Sequence, residues 1–343
     1  MLRLNYKKRD LGYSFALTTF VMVVAALALQ LFFGADTSGW KFWLMQSLYT
    51  LLIGCSAFLY AAITKTNVFA ATKLNKRPKL SHALWGCGAA VFLVLCMSVI
   101  NNLFLDAIES MGLNRPSVEL ESNLAGLIIC ACVLPALAEE IVFRGTVAQS
   151  LYGHKSKLAA IAISGALFSI FHANPAQTLH QFVLGAFLTL LVFRSGSLWT
   201  SVIVHFFSNA FVVVLAYTPF GSDEFWNLRT NVKWALPLMI VGIVGFVLCV
   251  WGYLKTTKSN WQTPVEETAN ETQSDTDENV EQQNGDTADG EVADEAADSQ
   301  NEADLEARIR AKYEKTAEQR LSNAPLWVGI FVCVVLWVSQ LLV

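Results

Sequence analysis

Nine long apolar stretches, most of about 18 to 23 residues, run through this chain and constrain its fold more than any other feature. They fall at 13–33, 42–64, 84–105, 124–151, 158–172, 180–193, 198–217, 234–254 and 326–343. An α-helix of roughly 20 residues crosses a hydrocarbon core about 30 Å thick. The runs are continuously apolar and do not alternate at every second residue, so an outer-membrane barrel is excluded along with a soluble enzyme. The expectation is an all-α, polytopic transmembrane helix bundle of about eight or nine spans. Collagen, coiled-coil and nucleic-acid-binding patterns are absent. The first run follows Arg3, Lys7, Lys8 and Arg9 as a signal peptide would, but it is too long for a signal core and reads as an uncleaved helix.

Charge orders the spans. If the N-terminus is cytoplasmic and the helices alternate, twenty Lys and Arg fall on the inner side, Arg144 and Arg194 among them. Only Lys41, Arg115, Arg229 and Lys233 fall on the outer side. That asymmetry is a positive-inside pattern, and it predicts a multi-pass cell-membrane protein with a cytoplasmic N-terminus. The formal net charge of −4 conceals this: 16 of the 28 acids lie between Glu266 and Glu306, a stretch without Lys or Arg. The segment 263–304, rich in acids, Gln, Asn and Thr, cannot bury enough surface to offset its ordering entropy and is expected to be disordered and cytoplasmic. It could serve as a spacer or dock a cytoplasmic partner. After it, 305–321 has the composition of a short juxtamembrane helix. The seven cysteines all lie in apolar runs and imply neither a disulfide framework nor a CxxC metal site.

The domain organisation that follows is N-terminal helices over 1–123, a core over 124–217, an additional helix within 218–262, the acidic segment 263–304, and a terminal unit 305–343 with the last span.

Two carboxylates, Glu139 and Glu140, lie inside the predicted spans, side by side in LPALAEEIVFRG. A charge at membrane depth costs roughly 2.5–3.5 kcal/mol even on insertion scales, so the pair is a functional candidate. Neighbours on a helix point about 100° apart, so the two acids face different surroundings. Glu140 and Arg144 are i and i+4 and form a natural ion pair, a strut. Glu139 lacks a local cation and is the candidate general base. Pro135, four residues earlier, should loosen or kink the helix there. His172, four residues after Phe168, and His205, four before Asn209, add two imidazoles and an amide on neighbouring apolar helices. A base, two imidazoles and an amide can activate water and hold an oxyanion; Glu139, His172 and His205 could alternatively ligate Zn2+.

EEIVFR with Glu139, Glu140 and Arg144, FSIFH with Phe168 and His172, and HFFSN with His205 and Asn209 resemble, in order, the EExxxR, FxxxH and HxxxN motifs of the CPBP family. These are the CAAX-protease and bacteriocin-processing, or Abi, intramembrane proteases. The resemblance covers roughly 124–217. It implies an intramembrane endopeptidase, related to type II CAAX prenyl endopeptidases, that cleaves a membrane-bound protein or peptide. Glu139 and His172 would activate water, His205 and Asn209 would form the oxyanion hole, and Glu140 and Arg144 would support them. Many family members are labelled metalloproteases; the preferred expectation here is a metal-free glutamate mechanism, because Asn is a poor zinc ligand. A proton-coupled transporter using Glu139, His172 and His205 as a relay, or a catalytically silent scaffold of the same fold, are the alternatives.

One geometric demand accompanies this assignment. At 1.5 Å per residue, Glu139 lies about 22 Å from the outer end of its span and His172 about 21 Å from the inner end of the next. They meet only if the fourth helix continues well past Glu139 or the fifth starts below the membrane plane.

Overall fold

The structure, a computed structural model, describes residues 2–34, 39–115, 123–154, 156–257 and 323–342. Nine principal helices organise them: α1 Asp10–Phe33, α2 Trp40–Ile63, α3 Leu80–Ser110, α4 Leu124–Ser150, α5 Lys157–Phe171, α6 Thr178–Ser195, α7 Leu198–Ala216, α8 Val232–Thr256 and α9 Asn323–Leu342. Short helical turns at Val68–Ala71 and Asp223–Trp226 punctuate the connections. The expected disordered segment 263–304 and juxtamembrane helix lie outside the described residues.

Eight of these helices are long and apolar enough to cross a bilayer, with a helical turn at Pro175–Gln177 extending α6; the chain is a multi-pass membrane protein. The fifth is the exception to the predicted spans. Its 15 residues reach only about 22 Å, short of a 30 Å core. Leu27, Leu31, Phe32, Val244, Val247 and Trp251 lie exposed on the outer faces of α1 and α8, as lipid-facing side chains should.

Loop contacts show how the helices alternate. At one end, Arg3 bridges to Thr66, the Leu198 amide donates to Lys73 O, Ser197 Oγ donates to Lys76 O, and Arg194 donates to Leu254 O and Thr257 O. At the other, Arg115 pairs with Asp106 and the Asn114 amide donates to Leu341 O. The basic loops therefore share one end of the bundle. Arg144 does not belong to them: counted from sequence with the inner loops, it is wholly buried inside α4's ion pair. Nor are Glu139 and Glu140 the only helix carboxylates. Asp10, tied to Arg3 and the Tyr60 hydroxyl, and Asp106 sit in the end turns of longer helices than the hydropathy pattern marked.

Without a hydrophobic force between helices in lipid, close packing depends on small residues. A Cβ on Gly54 of α2 would stand 2.9 Å from Ala138 Cβ, one residue before Glu139, so α2 lies directly against the acidic turn of α4. Gly165 and Gly185 do the same for α5 and α6, where added Cβ atoms would meet Phe182 O at 2.7 Å and Phe168 at 2.9 Å. The resulting core contains Phe15, Phe143, Phe168 and Phe171, with a second cluster around Leu93, Leu184, Leu188, Leu191 and Tyr253.

Candidate active site

Helix α4 is not uniform. A regular stretch, Leu134–Val142, carries both acids and is flanked by π-helical turns at Ile128–Val133 and Phe143–Val147. Pro135 stands at the start of the regular stretch, where its missing N–H is accommodated by the wider turn before it. The sequence led us to expect a kink; the outcome is a change of helical pitch on both sides of the acids. Side chains take up backbone groups released by the second wide turn: Thr146 Oγ1 donates to Ile141 O at 3.3 Å and Gln149 Nε2 to Arg144 O at 3.2 Å.

The two acids have opposite surroundings. Glu140 is buried with its partner, both at 0% side-chain exposure, and its Oε1 accepts from Arg144 Nη1 at 2.7 Å and from His205 Nδ1 at 2.8 Å. Arg144 Nη2 donates to Gly185 O at 3.2 Å, and the guanidinium carbon lies 4.0 Å above the centre of the Phe168 ring. Glu139 is 17% exposed, and its Oε2, though buried, has no hydrogen-bond partner. The nearest cationic or imidazole nitrogen is His172 Nε2, at 3.8 Å. α4 runs 150 − 139 = 11 residues beyond Glu139, which meets the depth demand noted above.

His172 caps α5, and its Nδ1 donates to Phe168 O at 2.8 Å, which fixes the proton on that nitrogen and leaves the Nε2 lone pair facing Glu139. The chain then turns through Ala173, whose φ of +48° lies in the left-handed region. His205, on α7, gives its Nδ1 proton to Glu140 and so joins the strut. Asn209, one turn further, spends one amide proton on Ala131 O at 2.9 Å, inside the first wide turn; its second N–H remains to be placed.

The contacts thus gather Glu139 with His172 and Glu140 with Arg144 and His205, and Phe168 joins the two groups. Its ring lies edge-on to His172 at 4.7 Å and to His205 at 5.9 Å between centroids. Sequence reasoning gave Phe168 no role beyond its motif and missed Gly185 as the Arg144 acceptor. It also passed over His180, at the start of α6, which is within electrostatic range of both His172 and His205. The only available signal was a third histidine at a predicted span boundary. Among the described residues, no group of three or more His, Cys, Asp or Glu side chains is gathered as a metal site: of the Zn2+ set Glu139, His172 and His205, the first two face each other and His205 turns to Glu140.

Residues 121–211 match the family described as Type II CAAX prenyl endopeptidase Rce1-like. Over 93 residues the chain is 29% identical to the protein named "Putative membrane peptidase YdiL" of Bacillus subtilis (strain 168), covering 27% of this chain and 38% of that protein. The chain therefore spans well under half of the curated relative it matches. No solved structure matches it. The matched segment carries all three motifs, so over residues 121–211 the chain resembles proteins of the CPBP/CAAX type.

Proposed function

We propose that this protein is an intramembrane endopeptidase that hydrolyses a peptide bond in a membrane-associated protein or peptide with a glutamate-activated water. The observation that carries the reading is the 3.8 Å gap between Glu139 Oε2 and His172 Nε2, two acceptors facing each other with no direct hydrogen bond. A separation of that size suits a bridging water that donates one proton to each side. Glu139 takes one proton as the water oxygen attacks the scissile carbonyl, and it returns that proton to the leaving amine when the C–N bond breaks. His172 orients the water through Nε2.

The developing oxyanion needs donors. His205 already gives Nδ1–H to Glu140, so its Nε2 would donate to the oxyanion only as the imidazolium. Asn209 supplies its remaining N–H. Arg144 balances the charge of Glu140. The basic end would face the cytoplasm, the bilayer would be the protein's solvent, and the acidic segment 263–304 would be free to meet a cytoplasmic partner.

The test is a comparison of membrane-protein termini in cells carrying wild type or Glu139→Gln, matched for expression. Specific neo-termini should vanish in the variant; their persistence at wild-type levels would end the assignment. Proton or solute flux through reconstituted vesicles, abolished by Glu139→Gln, would instead favour the transporter reading.

A further inference from the structure

Beside the candidate site, between α1 and α2, lies a crevice of about 310 Å³ lined by Ala26, Leu29, Gln30, Met45, Gln46 and Tyr49, with Gly34 at its mouth. It opens in the half of the bundle away from the basic loops, because Gln30 and Gly34 end α1 and Gln46 lies in the second turn of α2. The amides of Gln30 and Gln46 have no hydrogen-bond partner among the described residues. Two amides between hydrocarbon-facing helices are poorly placed unless something polar meets them.

The floor of the crevice can be located relative to the acids. α2 and α4 run side by side in parallel: an added Cβ on Gly126 would touch Trp43, Ser47 Oγ lies 3.2 Å from Cys130 Sγ, and Gly54 abuts Ala138. The offsets are 126 − 43 = 83, 130 − 47 = 83 and 138 − 54 = 84. Tyr49 therefore stands level with residues 132–133 of α4, six or seven residues above Glu139, or roughly 9–10 Å. That is about three residues of extended chain. Tyr49 also lies within electrostatic range of Glu139.

We infer that the α1–α2 crevice is a hydrated vestibule through which an extended peptide segment of the substrate reaches Glu139, its main-chain amides met by Gln30 and Gln46 and its path past the floor set by Tyr49. The inference rests on the peptidase reading above and deepens it. α1 and α2 lie wholly outside the matched segment 121–211, so this part of substrate recognition would belong to the chain's own N-terminal helices. An extended peptide is the favoured occupant over a lipid tail because the lining presents paired amide donors and acceptors, which a main chain descending toward Glu139 can use and a hydrocarbon tail cannot.

Two measurements on the full-length protein in proteoliposomes test it. In the first, Gln46→Cys and Leu48→Cys are exposed to a membrane-impermeant, negatively charged methanethiosulfonate, with wild type as the background. Leu48 lies at nearly the same depth but outside the crevice. Gln46→Cys should react at least tenfold faster than Leu48→Cys; equal, slow rates mean a lipid-filled groove and overturn the inference. In the second, a quenched-fluorescent transmembrane peptide is the probe. Ala26→Trp, which fills the crevice, should raise KM at least tenfold with kcat little changed, whereas Glu139→Gln should abolish kcat. Wild-type KM in Ala26→Trp, with Glu139-dependent cleavage intact, rejects the vestibule and leaves the peptidase. Absence of Glu139-dependent cleavage in the wild type removes the peptidase reading and the peptide route together.

Discussion

The Glu140–Arg144 pair offers the sharpest test of how this site is held, through the single change Glu140→Gln. Glutamine keeps the shape and one acceptor oxygen, so the hydrogen bonds from Arg144 Nη1 and His205 Nδ1 can persist. What disappears is the negative charge opposite a guanidinium at 0% exposure. The contacts left to Arg144 are one carbonyl, Gly185 O at 3.2 Å, and the face of Phe168 at 4.0 Å, with the Glu139 carboxylate within electrostatic range. A cation–π contact contributes roughly 0.5–2 kcal/mol. Breaking a buried pair by removing one partner costs about 3–5 kcal/mol, so compensation is partial and a loss of about 3 kcal/mol is expected.

The assay is equilibrium unfolding in mixed detergent and dodecyl sulfate micelles, followed by circular dichroism, for wild type, Glu140→Gln, Arg144→Met and the double variant. Removing both partners leaves no orphaned charge, so the double variant should be less destabilised than the two single losses added, by on the order of 2 kcal/mol. An unchanged unfolding midpoint for Glu140→Gln, or strict additivity in the cycle, would refute the strut.

Other consequences follow from the same contacts. Phe168→Ala removes a fully buried ring beneath Arg144 and between two histidines, and should cost roughly 3–5 kcal/mol in the same unfolding assay; a loss under 1 kcal/mol would mean that the ring is dispensable. Ala173→Gly releases a left-handed alanine, worth roughly 1–2 kcal/mol, against a glycine entropy cost of about 0.4–1 kcal/mol. That variant should be as stable as wild type or up to about 1.6 kcal/mol more so, while Ala173→Val should be clearly less stable. Cleavage by the purified protein should survive 1,10-phenanthroline at millimolar concentration; zinc-restorable inhibition would reinstate a metal mechanism.

Much of this architecture was legible because lipid imposes a simple rule. Backbone groups with no water must bond within their own segment, so hydropathy and length mark helices with few competing solutions. The rule weakens where a segment is sheltered by protein: α5 is apolar enough to resemble a span, yet it is short and packed against α6 through Gly165 and Gly185. Helix boundaries were also drawn short: the spans starting at 13 and ending at 105 leave out Asp10 and Asp106, which ion pairs hold in the terminal turns.

At the site, the spacing rules succeeded over short range and failed over long range, for a physical reason. A turn of helix fixes which way Glu139 and Glu140 point, so the pairing of Glu140 with Arg144 four residues on could be read directly. Nothing local decides which acid a histidine 65 residues away approaches. His205 joins Glu140 because the π-helical turns reset the rotation of α4 on both sides of the acids, a change with no residue code beyond Pro135. That contact changes the chemistry. With His205 and Arg144 both committed to Glu140, the neighbouring carboxylate is left facing one imidazole lone pair across a water-sized gap. In the proposed mechanism, this unequal treatment of two adjacent, identical side chains is what would separate a structural anion from a base, and regularising either wide turn should remove it.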